Sequence, residues 1–415
     1  MKLLRLSTYC FPEEVSSTHL SQDINDAMVA EGWFLENYVP VPSRGISNAV
    51  RQEYKKKKYE ERMNGHFIIH RFNMIKEGKN PVQRAIKYTA TQIVQYFKAA
   101  KLDDIDVLYS GSTPPTQGIL FEKVKKKLSK KYGRNVPFVY NLQDVFPDSL
   151  LTLPFIKRNG LIWKIGDKIA KRTYDCADRI IVISEDIKKN IVNKGVPEQK
   201  IRVIYNWIDT ECVKPVPTSE NNLIKELNLD EKVFRVVYAG NLGMAQGIGT
   251  LIDAAKILSD KPDIQFVIFG KGSAEKQLRK QAENMDNIQF FPLQPQERVS
   301  EVYSLGDCCA ILCKKGVGAT GVPSKTWSIM ATGRPIVLSF DESELKNIVE
   351  ESGAGLCSPA EDAERLAENI LKLFERHDLR KAMGEQARKY AVEHASKENA
   401  VQAYIDVIKD VISLK

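Results

Sequence analysis

The chain has 415 residues, of which 43% are hydrophobic and 27% charged, a composition typical of a globular protein with two or three domains. We find no stretch of 18 apolar residues and no secretory leader, so we expect neither a membrane span nor export. The formal net charge is +8, and residues 1–205 carry 35 Lys+Arg against 22 Asp+Glu, so the basic excess lies in the first half.

The first half alternates short apolar runs with segments of helical pattern, as parallel α/β sheets do. Residues that follow successive strands would meet at one edge of the sheet, where such folds bind ligands. The strands predicted here are Leu3–Thr8, Leu35–Val41, Asp106–Ser110, Phe138–Asn141, Arg179–Ile183 and Arg202–Ile204.

Cations of the first half are concentrated in three segments, at 55–58, 123–134 and 157–172. In the last segment Trp163 and aliphatic residues alternate with cations, which predicts an interfacial helix on an anionic membrane surface. A solvated helix whose apolar stripe packs on its own domain is the alternative. Because no aromatic-rich sheet motif, zinc finger or basic recognition helix is present, we expect no nucleic-acid partner.

The alternation restarts after a Pro- and Asn-rich linker that follows Lys214. We therefore predict an α/β protein with two doubly wound Rossmann-like domains, residues 1–212 and 213–396, that face each other across a cleft. A helix at 397–415 is expected to pack back on the first domain. The second-half strands predicted are Phe234–Ala239, Gln265–Phe269, Ile288–Phe291, Cys308–Leu312, Pro335–Leu338 and Gly355–Cys357.

Three of the seven cysteines lie together in the apolar run Cys308–Cys313, which has no histidine nearby. This pattern predicts reduced core thiols in a cytoplasmic protein. A zinc site is the alternative, but it requires ligands from separated, turn-like positions. No Asp-x-Asp pair bounded by a strand lies near the second-half loops either, so we expect no metal.

The segment Gly316–Pro335 places a turn-rich loop directly before an apolar helix. Pro323 suits the entry to a helix, and Ser324 or Thr326 can cap its free amides. A helix start of this kind attracts anions, and Lys325 adds a full positive charge there. An ordinary capped helix without a ligand is the alternative.

The order and spacing of several segments resemble the retaining glycosyltransferases of family 4, which have the GT-B fold. Within that family the resemblance is to the bacterial capsule and O-antigen branch, which includes L-fucosamine transferase-like proteins. It covers nearly the whole chain. The segments that carry it are 7–33, 106–115 (DVLYSGSTPP), 138–150 (FVYNLQDVFPDSL), 177–215, 236–258 (VVYAGNLGMAQGIGTLIDAAKIL), 267–278 (VIFGKGSAEKQL), the Pro-Ser-Lys loop and 353–370.

The resemblance implies a nucleotide-diphosphate sugar as donor, bound mostly by the second domain, and an acceptor held mostly by the first. A UDP-sugar is the expected donor, with a guanosine nucleotide left open. Glycine-rich turns also join strands to helices where no ligand binds. The donor-side residues that the resemblance implies are Asn241, Gln246, Gly270, Gly272, Thr320, Pro323, Ser324, Lys325, Thr326 and Ser328.

Two departures from the family pattern affect the donor side. Asn241 and Gln246 stand where the family commonly has Arg and Lys, and Thr320 and Ser328 stand where it commonly has two glutamates. Because the second glutamate ordinarily binds the ribose, Ser328 or another group must do so here. A catalytically weak or inactive homologue that only binds nucleotide sugars therefore stays open.

For the acceptor side, the resemblance and the position after the strand Phe138–Asn141 both favour Asp144. It would be a second catalytic residue in addition to Lys325. Asp148 is expected to cap the following helix. Ser16, Ser17 and His19 lie after the first strand and could contact sugar, although a surface histidine on the first helix is the alternative.

The function predicted is retaining sugar transfer to a lipid-linked saccharide in capsule, O-antigen or exopolysaccharide synthesis, at the cytoplasmic face of the cell membrane. No cofactor is expected besides the nucleotide-sugar substrate. A nucleotide-sugar 2-epimerase is a further alternative, but it needs histidines in the cleft. The five histidines (His19, His66, His70, His377 and His394) lie mostly outside the predicted strand-end loops.

Overall fold

A computed structural model of the protein describes residues 1–13, 18–78, 80–152, 157–318 and 321–413. The chain divides into two compact units. Unit 1 comprises Met1–Ile183, Ile187–Ile204 and Val401–Lys415, and unit 2 comprises Ser184–Asp186 and Tyr205–Ala400. The sequence-based boundary places residues 205–212 in the first domain, whereas the structure places them in unit 2.

Unit 1 is built on an eight-stranded sheet in the order β3-β4-β2-β1-β5-β6-β7-β8, parallel except for the β3–β4 pair. Its core contains apolar side chains of the strands and of the helices that cover them. The strands are β1 (Lys2–Arg5), β2 (Phe34–Pro40), β3 (Tyr59–Arg62), β4 (Phe67–Phe72), β5 (Val107–Gly111), β6 (Phe138–Leu142), β7 (Arg179–Val182) and β8 (Ile201–Val203). The helices are α1 (Thr18–Ala30), α2 (Asn48–Lys56), α3 (Pro81–Ala99), α4 (Gln117–Tyr132), α5 (Leu161–Cys176) and α6 (Glu185–Asn193).

Local signals in the sequence set the ends of several helices. Ser47 accepts a hydrogen bond from Val50 N and caps α2, and α4 stops at Gly133, whose φ of 68° lies in the left-handed region that favours glycine. The connections β4–α3–β5, β5–α4–β6 and β6–α5–β7 all advance in the same direction across the sheet. Right-handed crossovers therefore place α3, α4 and α5 side by side on one face of the sheet, and α4 packs on both neighbours.

Unit 2 contains a six-stranded parallel sheet in the order β11-β10-β9-β12-β13-β14, with one apolar cluster on each face. The strands are β9 (Phe234–Asn241), β10 (Ile264–Lys271), β11 (Ile288–Phe291), β12 (Cys308–Leu312), β13 (Ile336–Phe340) and β14 (Gly355–Pro359). The helices are α7 (Asn222–Glu226), α8 (Ile248–Ile257), α9 (Glu275–Gln281), α10 (Val299–Ser304), α11 (Lys325–Ala331), α12 (Glu344–Glu351), α13 (Ala363–Glu375) and α14 (His377–His394).

The last helix, α15 (Lys397–Ser413), joins unit 1 from Val401 onward. Its buried Tyr404 donates a hydrogen bond to Asn141 Oδ1 at 3.2 Å, at the end of β6. Ion pairs join Lys409 to Glu31 at 2.6 Å and Asp410 to Arg179 at 2.8 Å. These contacts fix the C-terminal helix on unit 1.

The predicted fold class, two doubly wound α/β domains, is confirmed. All twelve predicted strands are present, with ends shifted by three residues or fewer. The antiparallel edge strand β3 and its neighbour β4 were missed. In β3 three of the four residues are charged, as is common where a sheet edge faces water, and in β4 His70 and Arg71 interrupt the apolar run.

Among the residues that the structure describes, no helix combines the length and the apolar character needed to cross a membrane. Cys308 and Cys309 lie in β12, Cys313 follows it, and all three are buried. Burial raises the pKa of Cys309 to about 12 and of Cys313 to about 11, so these thiols are protonated at neutral pH.

Candidate functional site

Two glycine-containing loops pack against each other at the carboxyl ends of β9 and β10 in unit 2. A Cβ added to Gly270 would overlap the carbonyl oxygen of Gly240, and one added to Gly272 would overlap the backbone of Leu242. Leu242 N also donates to Lys271 O at 3.1 Å. Contact between the loops thus accounts for the two glycines without a ligand, and their predicted role in binding the donor stays a prediction.

The β9–α8 loop also carries two free amide side chains. Asn241 is exposed at the end of β9, and Gln246 ends a short 3₁₀ turn, Met244–Gln246. Neither side chain has a hydrogen-bond partner within the described part of the chain. The loop itself is fixed, because Gly247 has a φ of 61° and a Cβ there would lie 2.6 Å from Cys313 O. Both amides are therefore available to a ligand on an ordered loop.

Lys325 lies beside the same loop, at the first position of α11. Its Nζ is 4.1 Å from the centroid of the Tyr238 ring, and a Cβ on Gly240 would lie 2.7 Å from that Nζ. The described residues offer Lys325 neither a carboxylate nor a hydrogen-bond acceptor. Desolvation by burial lowers the pKa of Lys325 from 10.5 to about 8. The structure thus places an unpaired cation, still charged at pH 7, at the carboxyl end of β9.

The predicted capping of α11 is wrong. Ser324 is exposed and its side chain makes no capping hydrogen bond, while Thr326 Oγ1 is buried and has no partner within the described ranges. Thr326 N instead donates to Pro323 O at 2.9 Å, which closes the first turn through the backbone. Ser328 is buried on the same helix. Thr320 lies outside the described residues.

Asp341, directly after β13, was not selected from the sequence. Its Oδ2 accepts hydrogen bonds from Gly316 N at 2.8 Å and Gly318 N at 2.9 Å. A carboxylate that binds two loop amides orders the start of the segment that leads to Lys325. No local pattern marks Asp341, because its partners lie 25 and 23 residues away in the chain.

In unit 1, Asp144 follows β6 in a loop that is held by the neighbouring strand ends. Gln143 N donates to Ser112 Oγ at 3.2 Å, and Gln143 Nε2 donates to Asn141 Oδ1 at 3.0 Å. The Asp144 carboxylate itself has no hydrogen-bond or ion-pair partner among the residues described. It is exposed on one side, and desolvation by the protein on its other side raises its pKa. Asp144 is therefore a free carboxylate on an anchored loop.

Asp148 does not play the predicted capping role, although the 3₁₀ helix Asp148–Thr152 starts with it. Its Oδ1 accepts from Trp163 Nε1 at 3.1 Å, and its Oδ2 accepts from Asn190 Nδ2 at 3.0 Å and Lys194 Nζ at 2.8 Å. Burial alone would raise the pKa of Asp148, but the bonds from Lys194 and Asn190 lower it overall. Asp148 therefore links the β6–α5 segment to α6, and its hydrogen bond fixes the half-buried Trp163 side chain.

The remaining acceptor-side candidates are less well defined. His19 is exposed in the first turn of α1, and burial of its inner side lowers its pKa. Ser16 and Ser17 lie outside the described residues.

A polar cluster near the ends of β1 and β2 was missed by the sequence analysis. The buried Lys87 donates to Glu77 Oε2 at 3.0 Å and to Ser43 Oγ at 2.7 Å, and Tyr9 OH donates to the same Glu77 oxygen at 2.9 Å. The buried Glu13 accepts from Ser43 N at 2.7 Å. The sequence does show polar residues at helical spacing in α3, namely Lys87, Thr91 and Gln95. A polar stripe of this kind normally faces solvent, so it did not indicate a buried cluster.

Within the described ranges, no group of three or more His, Cys, Asp or Glu side chains is arranged to hold a metal ion. Of the histidines, His19 lies on α1, His66 and His70 at or in β4, and His377 and His394 on α14. None lies at the carboxyl end of a parallel strand with Asp144 or Lys325.

Two family models match the chain. Residues 49–212 match "Glycosyltransferase Family 4", and residues 219–390 match "Glycosyl transferases group 1". The chain carries two glycosyltransferase domains. The first match lies mostly in unit 1 and the second lies within unit 2, so Asp144 falls in the first matched domain and Lys325 in the second.

Two bacterial proteins are relatives of these glycosyltransferase domains. The chain is 28% identical over 280 residues to the putative colanic acid biosynthesis glycosyl transferase WcaI of Escherichia coli (strain K12), with 65% of this chain and 67% of the relative covered. It is 26% identical to the probable glycosyltransferase WbjE of Pseudomonas aeruginosa, with 65% and 66% covered. The matches thus span about two thirds of these relatives' own length.

Two solved structures share the fold of this chain. Anabaena HepE in complex with UDP matches with a TM-score of 0.72 and 16% identity over 99% of this chain and 100% of that chain. Sucrose-phosphate synthase of Thermosynechococcus elongatus matches with a TM-score of 0.72 and 15% identity over 100% of both chains. Because the sequence identities are this low, the matches show the fold alone. The TM-scores confirm the GT-B architecture.

A nucleotide diphosphate bound at Lys325 should be held less tightly as the pH rises above about 8. Burial has lowered the pKa of the free Lys325 to about 8, and a bound diphosphate would favour the cation and raise that pKa. Binding then takes up a proton above pH 8, so the affinity is fullest below pH 8 and falls by up to about tenfold per pH unit above it.

Titration calorimetry with UDP from about pH 7 to about pH 9.5 measures this dependence directly. Lys325→Met should bind more weakly and show a flatter profile, whereas Lys256→Met, which changes an exposed lysine in the last turn of α8, should keep the parent profile. A UDP affinity of Lys325→Met equal to that of the parent at about pH 7 would remove Lys325 from the diphosphate site.

Proposed function

We propose that the protein transfers a sugar from a nucleotide-diphosphate sugar, with retention of configuration, to a lipid-linked saccharide. The observation that carries this proposal is the unpaired, partly buried Lys325 at the carboxyl end of the unit 2 sheet, in a chain with two glycosyltransferase domains. The donor is a UDP-sugar, which the UDP complex of HepE supports at the level of the fold. The sugar is a hexosyl or amino-sugar group.

Lys325 stabilises the leaving diphosphate in this proposal. Sugar transfer places negative charge on the departing phosphate oxygen, and a preorganised cation in a site with little water stabilises that charge strongly. Burial has already removed water from Lys325, and no protein carboxylate competes for it among the residues described. Asn241 and Gln246, whose amides are free, add hydrogen bonds in place of a second cation.

Asp144 serves the acceptor or the cationic transition state. Its carboxylate is unpaired and its loop is anchored by Ser112, Asn141 and α15, so it is held in position without being neutralised. A carboxylate of this kind can accept a proton from an acceptor hydroxyl or stabilise an oxocarbenium-like centre. The raised pKa of Asp144 brings it closer to the range in which a general base exchanges protons at neutral pH.

The pathway proposed is synthesis of a capsule, O-antigen or exopolysaccharide at the inner face of the cell membrane. The similarity to WcaI, a putative colanic acid biosynthesis glycosyl transferase, supports a role in polysaccharide synthesis. The basic excess of residues 1–205 supports an anionic membrane surface as a partner. We propose that no metal ion takes part, with the diphosphate charge met by Lys325.

Incubation of the purified protein with radiolabelled nucleotide sugars and a bacterial membrane extract tests the proposal. Label that moves into the lipid-extractable fraction, with and without a metal chelator, supports it. Conversion of the donor to an epimeric nucleotide sugar without an acceptor would identify an epimerase instead and would overturn the proposal.

A nucleotide-sugar-binding protein without transfer activity is the second candidate. It is favoured by Asn241 and Gln246, which carry no charge to meet a diphosphate, and by Ser328 at a position where the family has a glutamate. In the same incubation this protein would bind a nucleotide sugar and leave it unchanged. Calorimetry on the same sample separates this case from a protein that does not bind the donor.

Lysines on α4 should carry the charge-dependent part of membrane binding. Lys123, Lys127 and Lys130 are exposed and have no ion-pair partner within the described ranges, whereas Lys125, Lys126 and Lys131 pair with Asp178, Glu122 and Asp103. A cation near an anionic surface contributes about 1 kcal/mol, so changing the three free lysines to Gln should lower binding by about a hundredfold at low salt.

Sedimentation with anionic and with neutral vesicles measures this effect. Changing the exposed and paired Lys126 and Lys131 to Gln is the control, and it should cost less because ion pairing already neutralises both side chains. Equal recovery with both vesicle types, or no effect of the three substitutions, would leave the α4 lysines as an ordinary solvated face.

A further inference from the structure

Helix α3 is fastened to unit 1 through polar side chains. Lys87, Thr91 and Gln95, spaced four residues apart, are 0%, 1% and 0% exposed. Gln95 Nε2 donates to Ser7 O at 3.0 Å and to Tyr38 O at 2.8 Å, and Lys87 binds Glu77 as described above. The inner face of this helix is therefore held by hydrogen bonds and an ion pair.

The outer face of α3 is apolar, the reverse of the usual arrangement for a surface helix. Val82, Ile86, Ile93 and Phe97 lie along one side and are 65%, 56%, 53% and 62% exposed. The helix contains no acidic residue. The exposed apolar stripe covers most of the length of α3, and nothing in unit 1 covers it within the described residues.

The neighbouring helices extend this surface. Helix α4 presents the unpaired lysines Lys123, Lys127 and Lys130 at helical spacing, and α5 begins with Leu161, Ile162 and Ile165, which are 76%, 55% and 54% exposed. The ion pair of Arg172 with Glu122, at 2.7 Å, joins α5 to α4. We call the outer faces of the three helices the α3–α5 surface.

The three helices carry a positive net charge. The sequences of α3, α4 and α5 contain 13 Lys+Arg, of which Lys87 is buried, and three Asp+Glu. A lysine row thus lies between two apolar stripes on a single face of unit 1. Apolar side chains can enter the headgroup and acyl boundary of a bilayer, and the cations between them can meet anionic headgroups.

We propose that the α3–α5 surface binds an anionic phospholipid bilayer by inserting the apolar stripe of α3 and the start of α5 into its interface. This inference rests on the proposed function for the choice of the membrane as partner, but its test requires no sugar transfer. A second copy of the chain is a poorer occupant, because a two-fold contact would bring the lysine rows of both copies together. The anionic bilayer is the partner whose charge complements this surface.

Insertion predicts binding that survives high salt. Attraction between exposed charges is screened over about 10 Å at 0.1 M salt and about 3 Å at 1 M, whereas burial of apolar side chains is not screened. The charge-only binding of the α4 lysines would therefore disappear at about 1 M KCl. A residual affinity that depends on α3 is the specific signature of insertion.

The experiment is vesicle sedimentation of the full chain at about 0.1 M and about 1 M KCl, with phosphatidylglycerol–phosphatidylcholine and with pure phosphatidylcholine vesicles. The test variant combines Ile86→Ser, Ile93→Ser and Phe97→Ser. The control combines Ile257→Ser and Val392→Ser, which change apolar side chains of unit 2 that are 48% and 40% exposed. Circular dichroism and thermal melting of each variant verify the fold.

We expect the parent and the control to retain binding at high salt, and the α3 variant to lose it by at least about tenfold. High-salt binding that is equal in the parent and the α3 variant overturns the inference, as does a parent that does not bind anionic vesicles. If light scattering shows a dimer that the α3 variant breaks while vesicle binding is unchanged, the surface belongs to a second copy and the inference is wrong. Vesicle binding does not depend on sugar transfer, so these outcomes can be interpreted even if the transfer assay shows no activity.

Discussion

Replacement of Lys325 by Ala should lower kcat/KM for sugar transfer by about 30- to 1,000-fold, equivalent to about 2–4 kcal/mol of transition-state stabilisation. The size of the effect follows from the absence of the family's usual cations, since Asn241 and Gln246 stand in their places. Lys325 then supplies most of the positive charge that meets the leaving diphosphate. Steady-state kinetics with saturating acceptor measure the loss.

Lys256→Ala is the matched control for this variant. Lys256 is exposed in the last turn of α8, away from the loops at the strand ends, so its loss should leave kcat/KM within about twofold of the parent value. The fold of Lys325→Ala should not suffer, because burial of Lys325 lowers its pKa and therefore costs stability below about pH 8. Turnover of Lys325→Ala within about threefold of the parent value would contradict the proposed role of Lys325.

Asp144→Asn should lower turnover by about a hundredfold or more while nucleotide affinity stays close to that of the parent. The carboxylate lies in unit 1, and the donor-side residues proposed here lie in unit 2. Its charge should therefore act on the acceptor or the transition state and not on the donor diphosphate. Calorimetry with UDP, next to the transfer assay, measures both quantities on one preparation.

Asp148→Asn separates this role from a structural one. Asp148 accepts three hydrogen bonds, one of them from Lys194, so its replacement should cost about 1–3 kcal/mol of unfolding free energy. Asp144 accepts none from the described residues, so Asp144→Asn should unfold at the parent's temperature. Parallel loss of nucleotide affinity and turnover in Asp144→Asn would contradict its assignment.

The fold could be predicted from the sequence because its signals are local. Buried parallel strands such as β9 and β12 are continuous apolar runs, and the loops after them contain the glycines that close packing requires. Lys325 was selected because it lies at the start of a helix after a turn-rich loop, and Asp144 because it follows the predicted strand Phe138–Asn141; the family resemblance favoured both.

The features that were missed depend on long-range polar contacts. The capping role predicted for Asp148 is local, but Asn190 of α6 and Lys194, directly after α6, offer stronger partners 42 and 46 residues away. Glu77 pairs with Lys87 and so allows the polar stripe of α3 to face the interior of unit 1. Helical periodicity alone would predict that such a polar stripe faces solvent. In both cases burial of a charge became favourable only because a distant partner met it.

The configuration of the transferred sugar tests the central claim most directly. Donor, purified protein and the acceptor fraction from the transfer assay are combined, and the anomeric proton of the first product is followed by nuclear magnetic resonance. Sugar transfer with retention predicts a product linked to the acceptor in the anomeric configuration of the donor. A product of the opposite configuration, or donor sugar released only to water, would contradict the account.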